Sequence, residues 1–305
     1  MRTTLPPTSR SAKPTGVGAQ ETTSRLGVVV HPARNIDPPL RALLGWAGNR
    51  GVDVVQVPVA GQHREVAEQG DANDCDLIVS IGGDGTTLAA IRAAVTADCP
   101  VLGVACGSLG ALTTVPASGV LRALDRFSRR DWLPRLLPAL EVNGEKAASL
   151  FALNDIVIIR AAEGQVRVTA RVDGVLYCRL AGDGCIVSTS TGSSAYTLAA
   201  GGPLLAPGAD GYVFTPLPTH GGSCPPLVVG PNSTLQLDAI AGHGGARVEV
   251  DGKVADTGVG AITIGCRSAV ATLVSFDDQE PALTGLRRRG IITDSPRIVA
   301  DDGRG

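Results

Sequence analysis

The segment Gly82-Gly83-Asp84-Gly85-Thr86 joins an apolar run, Asp76 to Ile81, to an Ala-rich, helix-favouring stretch, Thr87 to Val95. Glycines at a strand-to-helix turn let polyphosphate approach bare backbone N–H groups, and the helix N-terminus aims positive charge at the anion. Asp84 adds a carboxylate that could hold Mg²⁺ or accept the proton of an attacking hydroxyl, so the chemistry suggested is phosphoryl transfer. The same five residues also suit a tight turn with an aspartate helix cap. Asn154-Asp155 opens a further strand. An amide there can read a base edge and a carboxylate can grip a ribose diol; a plain Asx turn is the other use of the pair. The stretch Ser188 to Ser194 is rich in hydroxyls and is followed by Tyr196, whose ring could lie along a base or sugar while its hydroxyl stays in water. It suits a wet nucleotide pocket or an ordinary loop. Asp183, between Gly182 and Gly184, is either a turn residue or a polar contact to a ligand. His220 has no serine nucleophile signature around it and fits a structural or subunit-contact role better than a catalytic one.

These residues need a frame. From Leu26 the pattern runs strand, helix (Leu40 to Ala47), strand (Val52 to Val57), then the glycine loop with its own strand and helix, and then strand Val101 to Cys106 ending at Gly107-Ser108-Leu109-Gly110. Two glycine-bearing turns at strand carboxyl ends mark the usual ligand edge of an open α/β sheet. Beyond about residue 135 period-two alternation takes over, with Asp173-Gly174 and Asp251-Gly252 as hairpin turns. The stretch 182–203 is too rich in small residues for ordinary core, and the end of the chain, with Arg287-Arg288-Arg289, reads as either a return strand with a loop or a flexible end. The expected organisation is a disordered tail over 1–25, an α/β nucleotide-binding domain over 26–135, a β-rich, sandwich-like domain over 136–280 that binds the acceptor, and a C-terminal segment over 281–305.

Length and composition narrow the partners. The 305 residues suffice for two domains with cores of their own. With 44% hydrophobic and 18% charged residues, a net charge of −2 and no apolar run near membrane-spanning length, neither nucleic acid nor a membrane is an expected partner. Seven scattered cysteines, none spaced C-x-x-C, read as reduced thiols in a cytoplasmic protein. The tail shares its composition with transit peptides but has no secretory apolar core. The chain has no P-loop motif, and no dinucleotide G-x-G-x-x-G in a strand-to-helix setting.

Taken in order, Gly-Gly-Asp-Gly-Thr, the Gly103 to Thr113 turn, Asn154-Asp155, Gly182-Asp183-Gly184, Thr191 to Tyr196, Gly201-Gly202-Pro203 and Val250-Asp251-Gly252 resemble the NAD kinase family across residues 26–280. Gly-Gly-Asp-Gly alone is shared with lipid kinases; the Asn-acidic pair with the T-G-S-[ST]-A-Y block is specific. The resemblance implies the two-domain fold above with ATP and Mg²⁺ near the glycine loop, where Gly82, Gly83, Gly85 and Thr86 would bind phosphate and Asp84 would be the catalytic carboxylate. It implies adenine contacts from Asn154 and Thr191, a ribose contact from Asp155, and dinucleotide contacts from Ser194, Ala195 and Tyr196. Asp183 would reach a ligand held mainly by a neighbouring subunit, so a homodimer or homotetramer is implied. The implied reaction is phosphorylation of the adenosine-ribose 2′-hydroxyl of NAD. The chain also departs from the family. Asn-Glu is Asn154-Asp155, one methylene shorter; the turn Gly103 to Leu112 has lost its amide and aromatic; and Gly221-Gly222 and Pro225-Pro226 replace Ser-Leu and Arg-Pro. These changes leave open a different adenosine acceptor, and a catalytically silent NAD-binding regulator is the alternative outside enzymes.

Overall fold

Apolar runs alternating with helices build a parallel sheet in the first part of the chain. In the computed structural model, which describes residues 23–144, 150–255 and 258–302, strands Arg25–Val30, Asp53–Gln56, Leu77–Gly82 and Val101–Ala105 pair in parallel. Helices Asp37–Gly48 and Val120–Ser128 bury Leu43 and Leu124 against Val28, Val79 and Ile81 on one face. Helix Asp84–Ala94 buries Ala90 and Ile91 against Val29 and Ile78 on the other. With both faces covered, all six residues of Leu77–Gly82 are buried, which is why that segment reads as a continuous apolar run. The first strand starts at Arg25, inside the expected tail 1–25, because the Asp76 carboxylate accepts from the N–H groups of Ser24 (2.7 Å) and Arg25 (3.0 Å). The tail up to residue 22 lies outside the described residues.

The second part is a two-sheet β structure. Among the described residues one antiparallel sheet has the order Leu227–Val229, Tyr212–Pro216, Gly184–Thr189, Asp155–Arg160, Ala246–Val250, Lys253–Val254. Its inner face, with Ile156, Ile158, Val187 and Phe214, packs on Val168, Ala170, Leu237 and Ile264 of the second sheet. That second sheet is continuous with the first domain. The 15-residue strand Ala261–Ser275 pairs antiparallel with Leu133–Gly144 and Leu235–Ala241, and joins the parallel sheet where Leu273 sits opposite Val101. Both Asp-Gly turns carry positive φ at both residues, 48° and 81° at Asp173-Gly174 and 49° and 73° at Asp251-Gly252, the requirement of a two-residue hairpin of this hand.

Two expectations are corrected. Over 281–302 the chain is neither a return strand nor a free coil: Ala282–Arg288 and Pro296–Asp302 are helices, the first burying Leu286 and, through Arg288, donating to the Leu109 carbonyl of the first domain (3.4 Å), while the returning strand is Ala261–Ser275. Nor is 182–203 all outside the core. Gly184–Thr189 is an interior strand with all six residues buried. Glycine is required at its first position by crowding, since a Cβ on Gly184, at φ +140°, would stand 1.9 Å from the Ile158 carbonyl oxygen. No described helix is long and apolar enough to cross a membrane.

Candidate active site

The glycine loop forms the strand-to-helix turn that its sequence implies. Gly83 is the extended residue before the helix, and no side chain caps that end. Asp84 is therefore not a helix cap. Its carboxylate leaves its own helix for the second glycine-bearing turn, where Oδ1 accepts from Leu112 N, Thr113 N and Thr113 Oγ1 (each 3.0 Å) and Oδ2 accepts from Ala111 N (2.8 Å). Oδ1 is fully engaged while Oδ2 keeps a lone pair. Arg135 donates to the Ala111 carbonyl (2.7 Å) beneath this turn, and burial pushes its guanidinium below the ordinary arginine value while the Asp84 charge opposes that shift.

Gly82 has no room for a side chain, a Cβ there falling 2.3 Å from Thr86 Oγ1, whereas a Cβ on Gly85 would meet nothing within 4 Å. The first-turn N–H groups of Gly85 and Thr86 have no acceptor within their own helix. Both residues line a cavity of about 310 Å³ whose wall also includes His31, Arg34, Gln62 and, from the second domain, Lys253. Arg34 lies across both glycine turns, with Nη1 3.5 Å from the Cβ position of Gly83 and 3.3 Å from that of Gly107. The Gln62 amide is buried with neither its nitrogen nor its oxygen hydrogen-bonded. Three kinds of group thus converge: orphan backbone N–H donors, cations and an unsatisfied amide. A larger open depression near Arg126, about 680 Å³, offers less, because Arg126 is already paired with Asp131, Asp277 and Asp278.

Asn154, Asp155 and Thr191 to Tyr196 form the second group. Thr189 N donates to the Asn154 carbonyl (2.9 Å), Thr189 Oγ1 donates to the Leu153 carbonyl (2.7 Å), and Gly192 N donates to Thr189 Oγ1 (3.1 Å). Gly192 is needed for this approach, since a Cβ there would stand 2.0 Å from the Asn154 oxygen. The hydroxyls of 188–194 are not a uniformly wet set. Ser188, Thr189 and Ser193 are fully buried and bond inward, and Ser190, Thr191 and Ser194 are the partly exposed ones, beside exposed Ala195 and Tyr196. Asp183 stands apart: it sits beside Arg160, with which it pairs at 2.5 Å, at the far end of strand Asp155–Arg160, about 17 Å from Asp155.

One buried contact joins the two groups. Asp251, on its hairpin turn, accepts from Leu153 N (3.1 Å), Asn154 N (2.7 Å) and Asp155 N (3.2 Å), and also from Arg92 of the helix that begins at Asp84. Burial first, then the charges of Asp251 and Glu249, push the Asp155 carboxyl up to about 6. This raised value sets a pH dependence. Its stabilising contribution is fully present below the ordinary carboxyl value of 3.8 and is lost as pH rises through about 6. Urea unfolding of wild type should lose about 3 kcal/mol more than Asp155→Asn across that window. Parallel curves for the two proteins would contradict it.

Arg34, Gln62, Arg92, Arg135 and Lys253 were not singled out by their sequence contexts. Only for Arg92, the one basic residue on its helix, was there a local signal, and it did not say what the residue faces.

The chain resembles known proteins over most of its length. Residues 24–132 match the model of the ATP-NAD kinase N-terminal domain and residues 153–258 that of the C-terminal domain. The chain is 33% identical to NAD kinase 1 of Streptomyces avermitilis, over 92% of this chain and 90% of that protein. It is 34% identical to an NAD kinase of Acidobacterium capsulatum, over 82% and 91%. Two solved structures share the fold. Yeast NADH kinase complexed with NADH superposes with a TM-score of 0.75 at 21% identity, covering 90% of each chain. An NAD kinase from Archaeoglobus fulgidus in complex with ATP gives 0.68 at 24% identity, covering 87% of this chain and 98% of that one.

Proposed function

Because the chain belongs to the NAD kinase family, we infer that it transfers the γ-phosphoryl group of ATP to the adenosine-ribose 2′-hydroxyl of NAD, forming NADP. The observation that carries the catalytic assignment is the Asp84 carboxylate, fixed by four donors with one Oδ2 lone pair left over. That lone pair accepts the proton of the attacking hydroxyl. A base held by the protein rather than by water costs little reorganisation at the moment of reaction.

The N–H groups of Gly83, Gly85 and Thr86 bind the donor phosphates, Gly82 lets the loop close on Thr86, and Arg34 and Lys253 add positive charge from two sides of the cavity. Gln62, with both amide atoms unpaired, is suited to the edge of the donor's adenine. Among the described residues no three His, Cys, Asp or Glu side chains gather as a metal cage. A site with one carboxylate, Asp84, beside phosphates and water suits Mg²⁺, which keeps several waters and is usually held that way. When bound, Mg²⁺ neutralises charge on the phosphate oxygens. Asn154 and Thr191 take the acceptor's adenine, Asp155 its ribose diol, and Ser194, Ala195 and Tyr196 the remainder of the dinucleotide. Asp183, distant from that cluster on its own chain, is assigned to a ligand held by a neighbouring subunit of a homodimer or homotetramer.

Arg34→Ala should raise KM for ATP by roughly tenfold, the value of one hydrogen bond to a charged group, with KM for NAD unchanged. Equal effects on both substrates in initial-rate kinetics would remove Arg34 from the donor site.

The short, buried Asp155 supports a second reading, the same transfer to another adenosine compound. Turnover of NAD, NADH and adenosine at fixed Mg-ATP tests it. NAD as the best acceptor supports the first reading, and phosphorylated adenosine without NADP supports the second. A catalytically silent regulator is disfavoured by the intact seating of Asp84.

A further inference from the structure

Arg92 and Asp251 belong to neither set of ligand-facing residues, yet they are among the most heavily bonded charges in the molecule. The Asp251 side chain is 2% exposed and takes five hydrogen bonds: Asn154 N and Asp155 N on Oδ1, and Leu153 N, Arg92 Nε and Arg92 Nη2 on Oδ2. Arg92 is fixed in turn. Its Nη2 also donates to the Phe151 carbonyl (3.1 Å), and its guanidinium lies over the Phe151 ring at 4.9 Å. Asp251 N closes the arrangement by donating to the Asp155 carbonyl (2.9 Å).

The position of this cluster is what matters. Arg92 is eight residues beyond Asp84 on one helix, about 12 Å along its axis. Asp251 holds three successive N–H groups of the acceptor segment, and Lys253, two residues further along the same hairpin, lines the donor cavity. A buried carboxylate with its cation removed is strongly unfavourable, so the hairpin and the acceptor segment are held in register with the helix by this pair.

We propose that Arg92 and Asp251 are positioning residues that set the acceptor segment Leu153 to Asp155 at a fixed place relative to the helix carrying Asp84, and thereby govern acceptor binding. The proposal rests on the function inferred above and deepens it. The charged groups facing Asp155 are Asp251 and Glu249, the latter paired with Arg247 (2.6 Å), with Arg92 behind Asp251. Loss of Arg92 leaves the Asp251 charge uncompensated and favours protonation of Asp155, so the acid limb of acceptor binding moves to higher pH. Loss of the Asp251 charge moves it lower.

The test is steady-state kinetics from pH 5 to 8 on the full-length protein, with calorimetric titration of NAD and of adenosine. Arg92→Met is expected to raise acceptor KM by roughly tenfold or more, to raise KM for ATP by less, through Lys253 on the same hairpin, and to shift the acid limb upward, with partial recovery in Arg92→Lys. An unchanged acceptor KM, or equal increases in both KM values with an unmoved acid limb, overturns the proposal. Should Arg92→Met fail to fold, the neutral double variant Arg92→Met with Asp251→Asn avoids the lone buried charge. It should fold, bind acceptor weakly and show a lowered acid limb, and a wild-type acceptor KM there also overturns the proposal. If wild type binds NAD or adenosine without phosphorylating it, the inferred function fails, and the calorimetric affinities of the variants still decide the positioning role. A wild type that binds neither compound overturns both.

Discussion

Asp84→Asn should lower kcat by roughly 10² to 10⁴, the range for removing a positioned general base, with KM for ATP little changed. The geometry gives the reason. The carboxylate accepts on both oxygens, three donors on Oδ1 and Ala111 N on Oδ2. An asparagine that keeps its oxygen toward Leu112 and Thr113 turns its NH₂ toward the Ala111 N–H, donor against donor, and leaves no basic atom for the hydroxyl proton. Circular dichroism with single-turnover rates separates this loss from unfolding. A folded variant with near wild-type kcat would show that Asp84 serves only to hold the turn.

Gly110→Ala should cost roughly 100-fold in kcat, the penalty of displacing a reacting group by about 1 Å. A Cβ at residue 110 would stand 2.1 Å from Asp84 Oδ1 and 2.4 Å from Oδ2, so the carboxylate and its donors cannot all stay in place. Gly110 N also donates to Thr113 Oγ1 (3.0 Å), which itself donates to Asp84, so the disturbance passes to a second contact. Rates of the purified variant at saturating ATP and NAD measure the effect. Unimpaired turnover would mean that the seat of Asp84 does not matter for the reaction.

What could be read from the sequence follows the range of the interactions. The strand, glycine loop and helix around Asp84 were legible because each is specified by neighbours in the chain, as were the Asp-Gly hairpins. Local composition misled where tertiary crowding set the residue types. Gly184 lacks a side chain because the Ile158 carbonyl presses on it, and the strand Gly184–Thr189 that it opens is buried throughout rather than a surface loop. Likewise the hydroxyls of Ser188 and Thr189 serve buried backbone and side-chain partners. The capping alternative for Asp84 could not be dismissed locally, since its donors lie 27 to 29 residues away. Arg92 meets Asp251 across 159 residues, beyond the reach of any periodicity or spacing.

The most direct test is NADP formation by the purified protein with Mg-ATP and NAD, read by an NADP-specific dehydrogenase, with Asp84→Asn in parallel. The account predicts NADP from wild type and its near disappearance in the variant. Wild-type protein that binds both nucleotides but forms no NADP would contradict it.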